Sequence, residues 1–225
     1  AKGTAARLAR FGVYNMRSIA HAPEDLMYKT FGILAEILID HAWGRESCTM
    51  ADIKAYKSKS KSVSNSQILF EDYTFEKAKL VIVEMALSGC QEMMRRHVIS
   101  NRVGIGVGYS KDAIEPTGGY VTMAETTHVF SIIKKYVCDL FEKTTNNNYP
   151  IRRLSIDFQN VVDEGCEGYT LFTNFDAIEK EKKSEAAAIE IKERFGKNAV
   201  LRAMDLQEGA TAKLRNKQIG GHNRE

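Results

Sequence analysis

The stretch NYPIRRLSIDFQNVV, residues 148–162, decides the fold. From Ile151 it alternates: Leu154, Ile156 and Phe158 share one side, while Arg153, Ser155 and Asp157 share the other. A period of two with one apolar side predicts a half-buried β-strand whose second face is left for a ligand. Arg102 to Tyr109 repeats the pattern: Val103, Ile105, Val107 and Tyr109 fall on one face, and Arg102, Gly104, Gly106 and Gly108 on the other. Glycines there are expected to leave the open face bare. Another backbone, such as a nucleic-acid strand, could then approach closely.

Outward from these two strands the period changes back and forth. SVSNSQILFEDYT (62–74) reads as a strand, and Phe75 to about Val98 as a helix with Ala78, Ile82, Met85, Gly89 and Met93 on one stripe. The Arg102–Tyr109 strand follows, then the loop SKDAIEPTGG and a strand GYVTMAETT. A helix from about His128 to Glu142, with Val129, Ile133, Val137 and Leu140 inward, leads into the strand at Ile151. The order is βαββαβ. It predicts a ferredoxin-like α+β domain: a four-stranded antiparallel sheet with both helices on one face and the other face uncovered.

Residues 2 to 48 break into short helices closed by Gly12, Gly32 and Gly44, with Pro23 at a helix start. Thr4 and Arg7 at the first helix resemble the second half of a helix-hairpin-helix, which holds phosphate through backbone amides and basic side chains. A small helical subdomain with solvated arginines is the other reading. TMADIKAYKSKSK, 49–61, has the composition of a linker, with Lys54, Lys57, Lys59 and Lys61 against Asp52. It is either a solvated tether or a lysine track along a phosphate backbone. Beyond Val162 come the short apolar segment GYTLFTNF and a helix from about Asp176 to Phe195, ended by Gly196, with Ala187, Ile189 and Ile191 inside. The stretch from Gly209, with Lys213, Arg215, Lys217 and Arg224, reads as a mobile basic tail.

Composition sets the outer limits. The 225 residues are 44% hydrophobic and 27% charged with net charge +3, as in an ordinary globular chain of one or two domains. Cys48, Cys90, Cys138 and Cys166 form no metal spacing and read as buried, reduced thiols of a cytoplasmic protein. No run of apolar residues suits a membrane, and no signal peptide is visible. Beginning at Ala1 in mid-pattern, the sequence reads as part of a longer protein. His21, His41, His97, His128 and His222 are too dispersed for a metal or catalytic role. GVGYS is not a phosphate loop, because its glycines alternate within a strand rather than opening a helix. Asp52, Asp72 and Asp157 are scattered, and Glu76 and Glu84 read as helix-surface charges.

Taken together, these segments resemble the C-terminal half of the Y-family translesion DNA polymerases, of the UmuC-like or DNA polymerase IV-like bacterial kind. ARLARFGVYNMRSIA (6–20) is similar to the thumb, KSKSKSVSNSQIL (57–69) to the linker and first little-finger strand, and IRRLSIDF (151–158) to the last strand. AIEIKERFGKNAVLRAMDLQEGAT (188–211) is similar to the UmuC-like branch. The implied domains are a thumb at 1–48, a basic linker at 49–61, a little finger at 62–175 and a C-terminal helix and basic tail at 176–225. The implied partner is primer-template DNA, gripped without base preference during damage bypass. The DNA-contacting set would be Lys2, Thr4, Arg7, Lys54, Lys57, Lys59, Lys61, Ser62, Ser64, Arg102, Gly104, Gly106, Arg152, Arg153 and Ser155.

Two features depart from the family pattern. Asp157 stands where a basic residue is common, and would repel phosphate or pair with Arg153. Gly168 replaces the leading Gln of the family's sliding-clamp peptide. A clamp contact through Tyr169, Leu171 and Phe172, or a plain contact of these residues with the sheet, both stay open. The catalytic carboxylates and magnesium belong to the family's palm, so this stretch is expected to hold no cofactor and no metal, and to be inactive alone. A non-catalytic nucleic-acid adaptor and a protein-interaction domain with an incidental basic linker are the other readings. Ferredoxin-like folds that bind RNA present exposed aromatics on the sheet, whereas Gly104, Gly106 and Gly108 offer no such platform.

Overall fold

Strands β1 (Val63–Tyr73), β2 (Val98–Tyr109), β3 (Thr117–Thr127) and β4 (Ile151–Gln159) form an antiparallel sheet in the order β1-β4-β2-β3. A short strand β5 (Val162–Asp163) pairs with the start of β2. The computed structural model describes residues 2–56, 62–110, 113–171, 173–219 and 222–223. They belong to two units, Ala1–Lys59 and Ser60–Glu225.

The first unit contains helices α1 (Lys2–Ala9), α2 (Met16–Ala20), α3 (Glu24–Phe31), α4 (Leu34–Ala42) and α5 (Met50–Ala55). Leu8, Val13, Ile19, Met27 and Ala35 form its core. Gly12, Gly32 and Gly44 all stand at positive φ, where a Cβ would be strained, and they end the helices as the spacing predicts. The expected linker is partly helical. Thr49 and Asp52 form a capping box at the start of α5, although none of that helix is buried.

In the second unit α6 (Phe75–Arg95) and α7 (Phe130–Thr144) pack on one face of the sheet. The βαββαβ order is as read from the period changes, and α7 buries Ile133, Val137 and Leu140. The strand order is a finer matter. A ferredoxin-like sheet centres its first and third strands, whereas here β4 and β2 are central. These two strands bury apolar residues at alternate positions, while the more polar β1 and β3 tolerate the edges. Gly89 of α6 faces Phe158 so closely that a Cβ there would run into the ring, which is how the helix comes down onto β4.

Side-chain burial departs from single apolar stripes at several places. Helix α6 is buried almost all round, not on one stripe: Val81, Val83, Glu84, Ala86, Leu87, Cys90 and Gln91 are covered as well. Its outer side meets α8 (Phe175–Phe195) and the C-terminal segment, including α9 (Ala212–Arg215). On α8 the inward residues are Ile178, Glu185 and Ile189, while Ala187 and Ile191 are exposed. Glu185 is accommodated on this otherwise apolar stripe because it docks on Gln91, whose Nε2 donates to Glu185 at 2.9 Å. All four cysteines are free, yet Cys48 and Cys166 are exposed and only Cys90 is fully covered. Burial pushes the Cys90 thiol well above its ordinary value.

Glu84 is no surface charge, since it is 1% exposed. Its Oε2 accepts from Thr211 N at 2.9 Å and Thr211 Oγ1 at 3.1 Å, and both oxygens accept from Ala212 N, at 3.3 and 3.2 Å. Burial raises its pKa, and the hydrogen bonds from Thr211 and Ala212 oppose that rise. The folded state therefore holds this proton more firmly than the unfolded chain. Stability from this group falls as pH climbs past the unfolded value. The same bonds fix residues 211 and 212, so the part of the tail they anchor is docked rather than mobile. Replacing Glu84 with Ala should cost about 1–3 kcal/mol for each buried donor left unsatisfied. Hydrogen exchange should then speed up at Thr211 and Ala212 far more than at Ile156. Unchanged protection at those two amides would show that the carboxylate does not hold the segment.

Candidate nucleic-acid interface

The sheet face opposite α6 and α7 is built by register. Across it, Arg102 lies between Thr122 and Gln159. The next row holds Tyr120, Gly104, Asp157 and Ser64, and the next Gly118, Gly106, Ser155 and Ser66. Gly108, Arg153 and Ile68 form the last row. Alternation thus delivers Arg102, Arg153, Ser64 and Ser155 to one surface, as the sequence implies.

The glycines do not leave this surface bare. A Cβ at Gly104 would meet the Tyr120 ring and the Asp157 carboxylate, one at Gly106 would lie 2.6 Å from Ser155 Oγ, and one at Gly108 3.1 Å from Arg153 Cβ. The missing side chains make room for neighbours to lean inward. Tyr120 is the residue that sequence reasoning missed. It is 53% exposed, and Arg102 sits 5.0 Å above its ring centroid. Ile68 and Phe70 are exposed on β1 as well. The face therefore does carry aromatics. Strict alternation in GYVTMAETT was the available signal, since it places Tyr120 and Thr122 beside Arg102.

Asp157 does not pair with Arg153. Burial raises its pKa, while a hydrogen bond from Gln159 and the charge of Arg102 lower it. It tempers Arg102 instead. Arg152 stands 3.7 Å from Asp72, an exposed pair of little energetic weight. Arg153 is exposed, with no carboxylate within 4.0 Å among the described residues.

In the first unit Lys2 and Lys54 are exposed and Thr4 is half-buried. Arg7 is engaged within its own unit: its guanidinium donates to the Thr30 carbonyl and lies 4.5 Å from the Phe31 ring centroid. Ser62 is half-buried at the foot of β1. Lys57, Lys59, Lys61 and Phe172 lie outside the described residues. The segment after β5 is fastened to β3, with Thr126 N donating to Gly168 O at 2.8 Å and Gly168 N to Thr126 O at 3.1 Å. Tyr169 packs edge-on to Phe175, whereas Leu171 is 100% exposed.

Among the described residues, one group could offer three ligand atoms to a metal: those of His128, Glu164 and Glu167 lie within 4.8 Å of one another. The histidines converge more than their spacing suggested. Glu164 accepts from His128 Nε2 at 2.8 Å and lies 3.2 Å from His97 Nδ1, and these contacts hold its pKa below the ordinary carboxylate value. Glu167 is taken by Lys182. With each carboxylate already engaged, the group works as a clasp on the chain after β5. No helix among the described residues is long and apolar enough to cross a membrane.

An antiparallel sheet with helices on one face and a basic, aromatic-bearing other face is a form suited to gripping a polyanion. Residues 60–171 match the C-terminal domain of the impB/mucB/samB family, and through them the chain belongs to the Y-family polymerases. It is 31% identical over 226 residues to UvrX of Bacillus subtilis (strain 168), a protein named for UV-damage repair, covering 96% of this chain and 51% of that one. It is 29% identical over 167 residues to DNA polymerase IV 2 of Halalkalibacterium halodurans, covering 73% and 40%. The chain spans about half the length of the curated relatives it matches. Among solved structures, a chimeric Y-family polymerase, Dbh-Dpo4(243-245)-Dbh, covers 72% of this chain and 45% of its own at 16% identity, with a TM-score of 0.44, too slight to bear on the fold.

Two substitutions on β4 separate grip from framework. Arg153→Ala should weaken DNA binding and lower its salt slope by about one, with folding unchanged. Ile156→Ala, at a site 1% exposed, should cost about 2–5 kcal/mol of stability through a core cavity. Equal losses of stability in the two variants, read by thermal melts, would contradict this facing of the strand.

Proposed function

We propose that this chain is the DNA-gripping part of a Y-family polymerase and holds primer-template duplex through phosphate contacts during damage bypass. The observation that carries the reading is the open face, where Arg102, Arg153, Ser64 and Ser155 meet beside Tyr120. Such groups position a backbone without reading its sequence. Lys2, Thr4 and Lys54 of the first unit, Ser62, Arg152, and lysines 57, 59 and 61 add contacts of the same kind. Each is weak alone. Joined in one chain they act at high effective concentration.

The chemistry lies elsewhere in this reading. Nucleotidyl transfer by two metals needs clustered carboxylates. Here Asp72 faces Arg152, Asp157 faces Arg102, and Asp52 caps a helix. The chain alone is accordingly a binder without polymerase activity, and magnesium would be held by another part of the polymerase. Exposed Leu171 suits an anchor for a sliding clamp, a finer part of the same proposal.

Fluorescence anisotropy with a labelled primer-template, repeated across salt, tests the grip. Neutralising roughly four to six phosphates predicts a logarithmic salt slope of about −4 to −5, equal for unrelated base sequences. The double variant Arg102→Ala, Arg153→Ala should flatten the slope by about two. A slope near zero, or a strong sequence preference, would overturn the proposal. Magnesium-dependent primer extension by the 225-residue chain would overturn the division of labour.

A further inference from the structure

Strand β1 pairs only with β4 among the described strands, so its other edge presents unpaired backbone N–H and C=O groups. Residues 63–68 of that edge line a cleft of about 730 Å³, within the range of specific ligand sites. Its walls come from the C-terminal half of α6, from α8 and from the segment around α9. They bring Arg95, Arg96, Lys192, Lys197 and Arg215 against one carboxylate, Glu92. Three of those cations lie beyond residue 171, where the family domain match ends. The cleft is thus assembled in part by a region outside the matched domain.

Glu92 is already shared, at 2.7 Å from Arg96 Nε and 3.3 Å from Arg95 Nη1. Glu193, outside the cleft lining, also pairs with Arg95 Nε at 3.3 Å, which leaves Lys192, Lys197 and Arg215 as the cleft's cations without an ion pair among the described residues. Arg215 reaches only neutral acceptors, Gln67 Oε1 at 3.1 Å and Ser88 Oγ at 2.8 Å. Lys192 donates to Gln91 Oε1 at 3.2 Å. Neither cation has a carboxylate within 4.0 Å among the described residues. Burial draws both below their ordinary pKa values. Glu84 and Asp205 act on Arg215, and Asp205 and Glu185 on Lys192, only from beyond ion-pair distance, so each covered cation is incompletely offset and an anionic ligand would complete the offset.

We infer that this cleft is a docking site for an extended acidic segment of a partner protein, which adds to the β1 edge as a further strand. The alternating donors and acceptors of a strand edge complement another peptide backbone, whereas a phosphodiester has acceptors alone. Surrounding cations admit an acidic strand and repel basic ones, which also protects the edge from indiscriminate pairing. This site borders the face formed by Arg102, Tyr120 and Arg153 along β1, where Ser64 belongs to both, but its cations are distinct from that face. It goes beyond the DNA-gripping function and does not depend on it.

The probe is a short fluorescent peptide alternating Glu and Val, titrated against the full chain. Binding should shift backbone amide resonances of Ser64, Ser66 and Ile68 while leaving those of Gly104 and Gly108 in place. The double variant Lys192→Gln, Lys197→Gln should weaken it roughly tenfold, with an unchanged melting temperature and an unchanged affinity for primer-template DNA. A peptide with Lys for Glu should not bind, nor should one whose alternate residues are proline, which lacks the N–H. Equal binding of the proline peptide would remove strand addition and overturn the proposal. So would loss of DNA affinity in the double variant, which would make the cleft part of a nucleic-acid track. A failed DNA titration with intact peptide binding would count against the grip alone.

Discussion

Central to the second unit is the pairing of β2 with β4, in which two strands of period two are locked in register from Arg102↔Gln159 to Gly108↔Arg153, before a one-residue shift at Tyr109↔Ile151. A slip of one residue would turn Ile156 and Phe158 outward and bring Arg153 and Asp157 into the core. The register is held by packing on both sides. On the helix side Phe158 fits against Gly89, and on the other side Tyr120, Ser155 and Arg153 settle over Gly104, Gly106 and Gly108. The glycines are therefore part of the fold's locking as much as of its surface. A larger residue at Gly104 would displace Tyr120 and, with it, the partner of Arg102.

Much of this was legible because periodicity is a local property. The alternation of β2 and β4, the inward stripe of α7 and the glycine helix ends all follow from neighbours a few residues apart. What was not legible depends on distant partners. Glu84 looks like any helix-surface carboxylate until Thr211 and Ala212 arrive. Glu185 turns inward on α8, where Ile191 looked the better candidate, because Gln91 and Arg202 meet it there. Alternation could put Tyr120 on the open face, but its seat over Gly104 is set by the pairing of β3 with β2. Polar burial is satisfied pair by pair, and a single sequence does not show which pairs form.

The cluster of histidine and carboxylate chemistry shows the same dependence on context. His97 precedes β2 and His128 follows β3, at the two ends of one hairpin, and both reach Glu164. His97 does so from a positive-φ turn between α6 and β2. The clasp joins the end of β3, the start of β2 and the chain after β5, so one carboxylate fixes where the polypeptide leaves the sheet. Tyr169 then meets Phe175, and α8 begins from a fixed point.

That fastening also sets a radius. Gly168 is held on β3 by two backbone hydrogen bonds, and Leu171 follows three residues later, so even a fully extended chain carries it no more than about 10 Å from that anchor. Any protein that takes up the Leu171 side chain must come to the β3 edge of this unit. Such a partner would be held on a short leash at that edge, at the opposite end of the strand order from β1.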